Sequence, residues 1–306
     1  MTRNKVLIIC GQTATGKTAL GLSLAKKFNG EVVSADSRQV YKKMDIVIGK
    51  DMPSDESKIY LTDLVYPDQE FSVSQWRKSA AEMISKLHKD GKLPIIVGGT
   101  GLYIKSLTGN IETLDVPQNK NLREQLKNKK PEEIFEMLTN INPIRAGQMN
   151  WSDKNNQRRL VRAIEVEVWK NKITNTGSVI LNRVPSNTSF LIIGLKASEE
   201  ILLEKIKRRI IERVKMGALS EVENLIKSGI SSKSQSMSAV GYRELNKYFE
   251  KKITLDEAID LWKKSEMRYA KKQLVWFKKQ NSINWFDTTE PDWQEKVENL
   301  VSSWYN

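Results

Sequence analysis

The stretch KVLIICGQTATGKT, residues 5–18, decides the fold. Residues 5–10 are an almost unbroken apolar run, the pattern of a strand buried on both faces of a parallel sheet. The run stops at Gly11. From there Gly11-Gln12-Thr13-Ala14-Thr15-Gly16-Lys17-Thr18 fits G-x-x-x-x-G-K-[ST] between a strand and a helix, the setting that this pattern requires. Its glycines let the loop curl until backbone N–H groups and the helix N-terminus point at one phosphate cluster. Lys17 adds a point charge and the Thr18 hydroxyl a ligand for Mg2+. The loop therefore implies a diphosphate, which need not belong to a nucleoside triphosphate.

Working outward, a helix is expected from Lys17 to Phe28 with Leu20, Leu24 and Phe28 on one face. Strand EVVSA ends at Asp36, and strand LPIIVG runs into Gly98 and Gly99. Between them residues 73–89 read as an amphipathic helix with Val73, Trp76, Ala80, Met83, Ile84 and Leu87 inward. Strand, helix, strand, helix, strand is the order of a doubly wound parallel sheet. From about Gly109 to Pro185 the apolar strand runs vanish and the text turns helical and charged; strand SFLIIGL then restores the pattern, followed by basic helices near 199–215, 217–228 and 254–280. The expected fold class is α/β, a P-loop NTPase-like parallel sheet flanked by helices with an all-helical insertion domain. Residues 1–109 and 186–306 would form the catalytic core with its C-terminal helices, and 110–185 the insertion.

Composition removes several chemistries. With one cysteine and one histidine in 306 residues, an intrachain disulfide, a Cys/His zinc site and a Ser-His triad are all excluded. Cys10 reads as a small buried hydrophobe. No run approaches the roughly 18 apolar residues of a membrane span, and the start carries no secretory pattern, so a cytoplasmic protein without membrane contact is expected. Fifty Lys and Arg against 37 Asp and Glu give a net charge of +13. Such a field attracts polyanions such as nucleic acid, although it also serves solubility.

Ligands of open parallel sheets bind at the carboxyl ends of the strands. Asp36 and the turn Gly98-Gly99-Thr100-Gly101 both stand there. Asp36 suits a chemical role and a helix N-cap equally well, and the glycine turn suits a ligand wall or a plain strand-to-helix connection.

Several separated segments together resemble the tRNA dimethylallyltransferases, also called tRNA isopentenylpyrophosphate transferases. They are GQTATGKT, SADSRQVYKKMDIVIGK, VGGTGLY, VPQNKNLREQL, RRLVRAIEV, RIIERVKMGALSEV, AVGYREL and YAKKQLVWFKKQ, in the family's order. The resemblance implies transfer of a dimethylallyl group from dimethylallyl pyrophosphate to the N6 amine of the adenosine 3′-adjacent to the anticodon in tRNA, with Mg2+ and release of pyrophosphate. It implies that Gly11, Thr13, Ala14, Thr15, Gly16, Lys17 and Thr18 hold the pyrophosphate, Thr18 also ligating the metal. Asp36 would be the general base, with Lys17 and Arg209 on the leaving group. Contacts to the tRNA anticodon stem-loop would come from Asp36, Ser37, Arg38, Gln39, Thr100, Arg123, Arg158, Arg159, Arg162 and the stretch Ser238 to Arg243, including Gly241 and Tyr242. A monomer is expected. The chain departs from the family pattern at Gln12, usually Pro, at residues 50–64, at Asn156, often Asp, and at Val275, usually Thr. None of these removes a proposed catalytic group.

Three rivals share parts of this pattern: a P-loop small-molecule kinase, an isopentenyltransferase acting on free adenine nucleotides, and a non-enzymatic RNA-binding protein. The +13 charge, the insertion and the basic C-terminal helices disfavour the first two, and Asp36 beside an intact P-loop disfavours the third. The segment from Thr254 to Lys279 has an apolar face with Leu255, Ala258, Ile259, Trp262, Leu274 and Phe277, opposite Lys264, Arg268, Lys271, Lys272 and Lys279. Its rings Trp262, Tyr269 and Trp276 read as core.

Overall fold

The computed structural model describes residues 4–51, 58–109, 111–173, 184–185, 187–280 and 282–306. Its strands are β1 (Lys5–Gly11), β2 (Gly30–Ser34), β3 (Ile59–Tyr60), β4 (Leu93–Val97), β5 (Ser189–Lys196) and β6 (Ile283–Asp287). They form one parallel sheet in the order β3-β2-β4-β1-β5-β6. Along β1 the side chains part by turns: Val6, Ile8 and Cys10 enter one apolar cluster, Leu7 and Ile9 another. A strand covered on both faces has no polar side to show, which is why residues 5–10 read as a continuous run.

The helices are α1 (Lys17–Lys27), α2 (Val73–Lys89), α3 (Gly101–Thr108), α4 (Lys120–Leu126), α5 (Pro131–Ile141), α6 (Pro143–Gly147), α7 (Trp151–Lys154), α8 (Gln157–Ile173), α9 (Glu199–Lys215), α10 (Ala218–Lys227), α11 (Tyr242–Phe249), α12 (Leu255–Lys278) and α13 (Trp293–Tyr305). Helices α1 and α13 cover one face of the sheet through Leu20, Leu24, Val297 and Val301. Helices α2, α3, α9 and α12 cover the other through Trp76, Ile84, Tyr103, Ile206, Trp262 and Phe277. Trp76 also donates from Nε1 to the Ser34 carbonyl at 3.0 Å and stacks on Tyr103, which fixes the end of β2 two residues before Asp36.

The chain divides into two compact units, Met1–Gly109 with Asn182–Asn306, and Asn110–Leu181. The second has its own core of Leu126, Ile134, Leu138, Leu160 and Ile164.

The sheet exceeds the sequence expectation at both edges. Strand β3 has only two residues, too few for any periodicity, and is defined by its pairing with Val32 and Val33. Strand β6 pairs with β5 over five positions, yet polar residues interrupt its text because an edge strand is only partly covered.

Candidate active site

The P-loop follows β1 directly. Gly11 has φ +126°, and a Cβ there would lie 2.1 Å from the Leu195 carbonyl oxygen on β5, so only glycine allows this approach. Gly16 has φ +84° and Ala14 φ +62°, which turns successive amides inward ahead of α1. Gln12 anchors the loop: its backbone N–H donates to the Leu195 carbonyl and its Oε1 accepts from Ala197 N at 3.2 Å. The departure from Pro therefore replaces ring stiffness by two hydrogen bonds. Lys17 Nζ donates to the Gln12 carbonyl at 2.5 Å.

Around the loop opens a cleft of about 480 Å³ lined by residues 13–19, Asp36, Gln39, Ile48, Gly49, Asp51, Gly98, Gly99, Lys205, Arg208 and Arg209, among others. Four cations (Lys17, Lys205, Arg208 and Arg209) face two carboxylates, and the excess favours a multiply charged anion. Burial, and secondly the charge of Arg209, lower the Lys17 ammonium to about 8. Arg209 Nη1 reaches the Thr13 hydroxyl at 3.5 Å. Cys10, behind the loop, is fully buried and its thiol is pushed up to about 12 by that burial, consistent with a core role.

Asp36 stands at the cleft and does not cap a helix. Its Oδ1 accepts from Arg38 N at 2.8 Å, capping a turn and not a helix, while the residue lines the cleft. Thr100 Oγ1 accepts from Ser37 N at 3.0 Å, so the Gly98–Gly101 turn holds the Asp36 turn. Gln39 accepts from Ser34 Oγ, and Arg38 donates to the Gln235 carbonyl at 2.7 Å and approaches Ser238. The structure thus joins residues 36–39, Thr100 and the 235–238 loop.

Gly241 and Tyr242, expected at the RNA, are buried, and Tyr242 donates its hydroxyl to Glu221. Arg243 is half exposed but engages Glu244 and Ser265. In the insertion, the buried Glu165 accepts from Asn119 N, from Arg123 and from Arg162, which also caps the Thr113 and Val116 carbonyls. Burial would raise that carboxyl, but hydrogen bonds from Arg123 and Arg162 hold it below the usual range. Arg159 pairs with Asp153. Among the described residues, Arg158 is exposed and forms no ion pair. Asn156 accepts from Arg159 N at 3.2 Å and Val275 is exposed, so neither departure touches the cleft.

Sequence reading missed Gln273. Its Oε1 accepts from Thr13 N at 2.8 Å and its Nε2 donates to the Gly99 carbonyl at 3.1 Å, tying α12 to both walls of the cleft. It also missed the clamp on residues 45–49. Glu221 accepts from the N–H groups of Asp45, Ile46 and Val47, and buried Arg213 donates to the Val47 and Ile48 carbonyls. Lys205, Arg209 and Arg213 recur every four residues on α9, a helical spacing visible in the sequence. Of the atypical segment 50–64, residues 52–57 lie outside the described residues.

The fold is that of the P-loop α/β proteins, with a cationic cleft at the strand ends. The match to the IPP transferase family spans residues 39–280. The chain is 37% identical over 302 residues to the tRNA dimethylallyltransferase of Acetivibrio thermocellus, covering 96% of this chain and 95% of the relative. It is 40% identical over 291 residues to that of Caldanaerobacter subterraneus, covering 92% and 91%. The crystal structure of the Bacillus halodurans tRNA isopentenylpyrophosphate transferase superposes with TM-score 0.70 at 33% identity, covering 98% of this chain and 96% of the other. A eukaryotic dimethylallyltransferase acting on tRNA shares the fold at TM-score 0.78 and 24% identity, with coverage of 98% and 78%. The chain belongs to the IPP transferase family. Among the described residues, no helix is long and apolar enough to cross a membrane.

Proposed function

We propose that the chain transfers the dimethylallyl group of dimethylallyl pyrophosphate to the N6 amine of the adenosine 3′-adjacent to the anticodon of tRNA. The observation that carries this reading is the single cleft in which an intact P-loop, Arg209 and Asp36 meet, in a chain of this family. In the reaction, N6 attacks the allylic carbon, the carbon–oxygen bond to pyrophosphate breaks, and one proton leaves nitrogen. The amine is a weak nucleophile because its lone pair is delocalised into the ring, so the site must above all stabilise the departing pyrophosphate. P-loop amides, Lys17 and Arg209 spread its developing charge. Asp36 takes the proton, an effect typically worth about 10² to 10⁴-fold.

A divalent cation fits this site as a shared ligand. Among the described residues no three acidic, His or Cys side chains converge on a point, whereas the Thr18 hydroxyl and pyrophosphate oxygens are the hard donors Mg2+ prefers. Bound there, Mg2+ supplies further stabilisation of the leaving group.

A base stacked in a loop cannot reach a cleft at strand ends, so the target adenosine is extruded into it. Residues 36–39, Thr100 and Arg243 are proposed to meet the RNA in the core, and Arg158 in the insertion domain. The core is assigned to residues 1–109 and 186–306, acting as a cytoplasmic monomer.

Transfer of radiolabelled dimethylallyl pyrophosphate to unmodified tRNA, AMP and ATP, with and without Mg2+, tests the reading. Label in tRNA alone is expected. Label in AMP or ATP would assign the chain to free-nucleotide prenylation, and no label in any acceptor would return it to the kinase reading.

A further inference from the structure

The inward stripe of α12 runs through Trp262, Glu266, Ala270, Gln273 and Phe277, all buried at helical spacing. Glu266 has its partner in Arg213. Gln273 is 5% exposed and stands between Ala270 and Phe277, where a leucine or methionine would pack as well. A buried amide is unfavourable unless its donor and its acceptor are both used. Both groups of Gln273 are used, and both on the catalytic cleft. Its Oε1 accepts from Thr13 N at 2.8 Å and its Nε2 donates to the Gly99 carbonyl at 3.1 Å. One partner is a backbone N–H and the other a backbone carbonyl, so a single orientation of the amide serves both.

The two ends of this bridge lie on different parts of the site. Thr13 is in the P-loop, with its N–H on Gln273 and its hydroxyl 3.5 Å from Arg209 Nη1. Gly99 is in the turn before α3, and the next residue holds the segment around Asp36 from both sides: Thr100 N donates to the Ala35 carbonyl at 3.2 Å, and Thr100 Oγ1 accepts from Ser37 N at 3.0 Å. Where β1 and β4 end, Gly98 N donates to the Ile9 carbonyl at 3.1 Å. Beyond that bond, among the described residues, the hydrogen bonds that join the P-loop to the turn pass through Gln273. Gly99 makes room for it, since a Cβ there would fall 2.1 Å from Gln273 Nε2. The leaving group belongs to the P-loop and the base to the Asp36 turn, and a misplacement of about 1 Å between reacting groups can lower a rate about 10²-fold.

We propose that Gln273 is a positioning residue for the transfer reaction: its one amide braces the P-loop against the Gly98–Gly101 turn and so sets the separation between the departing pyrophosphate and Asp36. The brace is mounted on a helix anchored in the core by Trp262 and Phe277, which makes it rigid. The proposal deepens the prenyl-transfer reading above and rests on it.

The test uses the full-length protein and measures the single-turnover transfer rate at saturating substrates, together with the thermal midpoint. Equilibrium binding of a non-reactive dimethylallyl pyrophosphate analogue and of an anticodon stem-loop RNA is measured on the same samples. Gln273→Met keeps the volume and removes both hydrogen bonds. Its rate is expected to fall about 10²-fold, with both affinities within about three-fold of wild type. Gly99→Ala pushes the amide aside without removing it and should lower the rate by a similar factor. Because both changes break the same bridge, the double variant should be within about two-fold of the slower single variant. An unchanged rate in Gln273→Met overturns the proposal, as does a loss confined to the affinity for RNA or analogue, or a double variant whose losses multiply. If Gln273→Met does not fold, Gly99→Ala carries the same readouts, and an unchanged rate there overturns the proposal. Wild-type transfer to AMP and not to RNA would overturn the underlying reading instead.

Discussion

The chain has two clusters of basic residues that look alike in sequence and differ in their partners. At the cleft, Lys17, Lys205, Arg208 and Arg209 converge on one cavity lined also by Asp36 and Asp51, and Arg208 pairs with Glu212 beside it. In the insertion, Arg123 and Arg162 close on Glu165, whose side chain is 0% exposed, and Arg159 pairs with Asp153. Among the described residues, Lys17, Lys205 and Arg209 of the first cluster form no ion pair. The second cluster uses its charge to hold α4 and the 113–116 turn against α8. An arginine run in a sequence therefore reports positive charge, and only the position of the nearest carboxylate says whether that charge is available.

The largest effect should come from the cleft. Lys17→Ala and Arg209→Ala are each expected to lower kcat/KM by about 10³-fold through the chemical step, with thermal midpoints near wild type; unchanged single-turnover rates would remove that residue from the leaving group. The insertion should respond in the opposite sense. Arg162→Ala leaves Glu165 with one fewer donor and should lower stability by about 2 kcal/mol in denaturant titration, whereas Arg158→Ala should leave stability alone, raise the tRNA KM a few-fold and reduce the salt slope of binding by about 1. If Arg158 and Arg162 behave alike, the contrast between paired and unpaired arginines fails.

A smaller, sharper signature is pH dependence. Lys17 is charged below about pH 8 and neutral above it, and only the charged form attracts pyrophosphate. The KM for dimethylallyl pyrophosphate should be flat below pH 8 and rise above it. Since Arg209 is one cause of the lowered value, Arg209→Gln should move the break to higher pH, and a break that stays in place would contradict the coupling.

Much of this was legible in the sequence because the signals are local. The P-loop needs eight consecutive residues, β1, β2, β4 and β5 announce themselves as apolar runs, and Asp36 follows a strand end. What was hidden depends on pairings far apart in the chain. Gln273 lies 260 residues from Thr13, and no local pattern tells a polar residue on a basic helix to turn inward. Glu165 neutralises Arg123 from 42 residues away. Tyr242, expected at the RNA through the resemblance of AVGYREL, bonds through its hydroxyl to Glu221, 21 residues away. Trp276 reads as core in the sequence, yet it is 39% exposed where Trp262 on the same helix is fully buried.

Asp36 is proposed as the base beside the pyrophosphate, and Asp36→Asn isolates that role because the amide oxygen still accepts from Arg38 N and preserves the turn. Single-turnover transfer to tRNA and equilibrium binding of a non-reactive dimethylallyl pyrophosphate analogue should be measured on the same preparation. A rate lowered by about 10² to 10⁴-fold with analogue affinity within two-fold of wild type is the predicted result. A rate close to wild type would take Asp36 out of the chemistry and leave it only its turn.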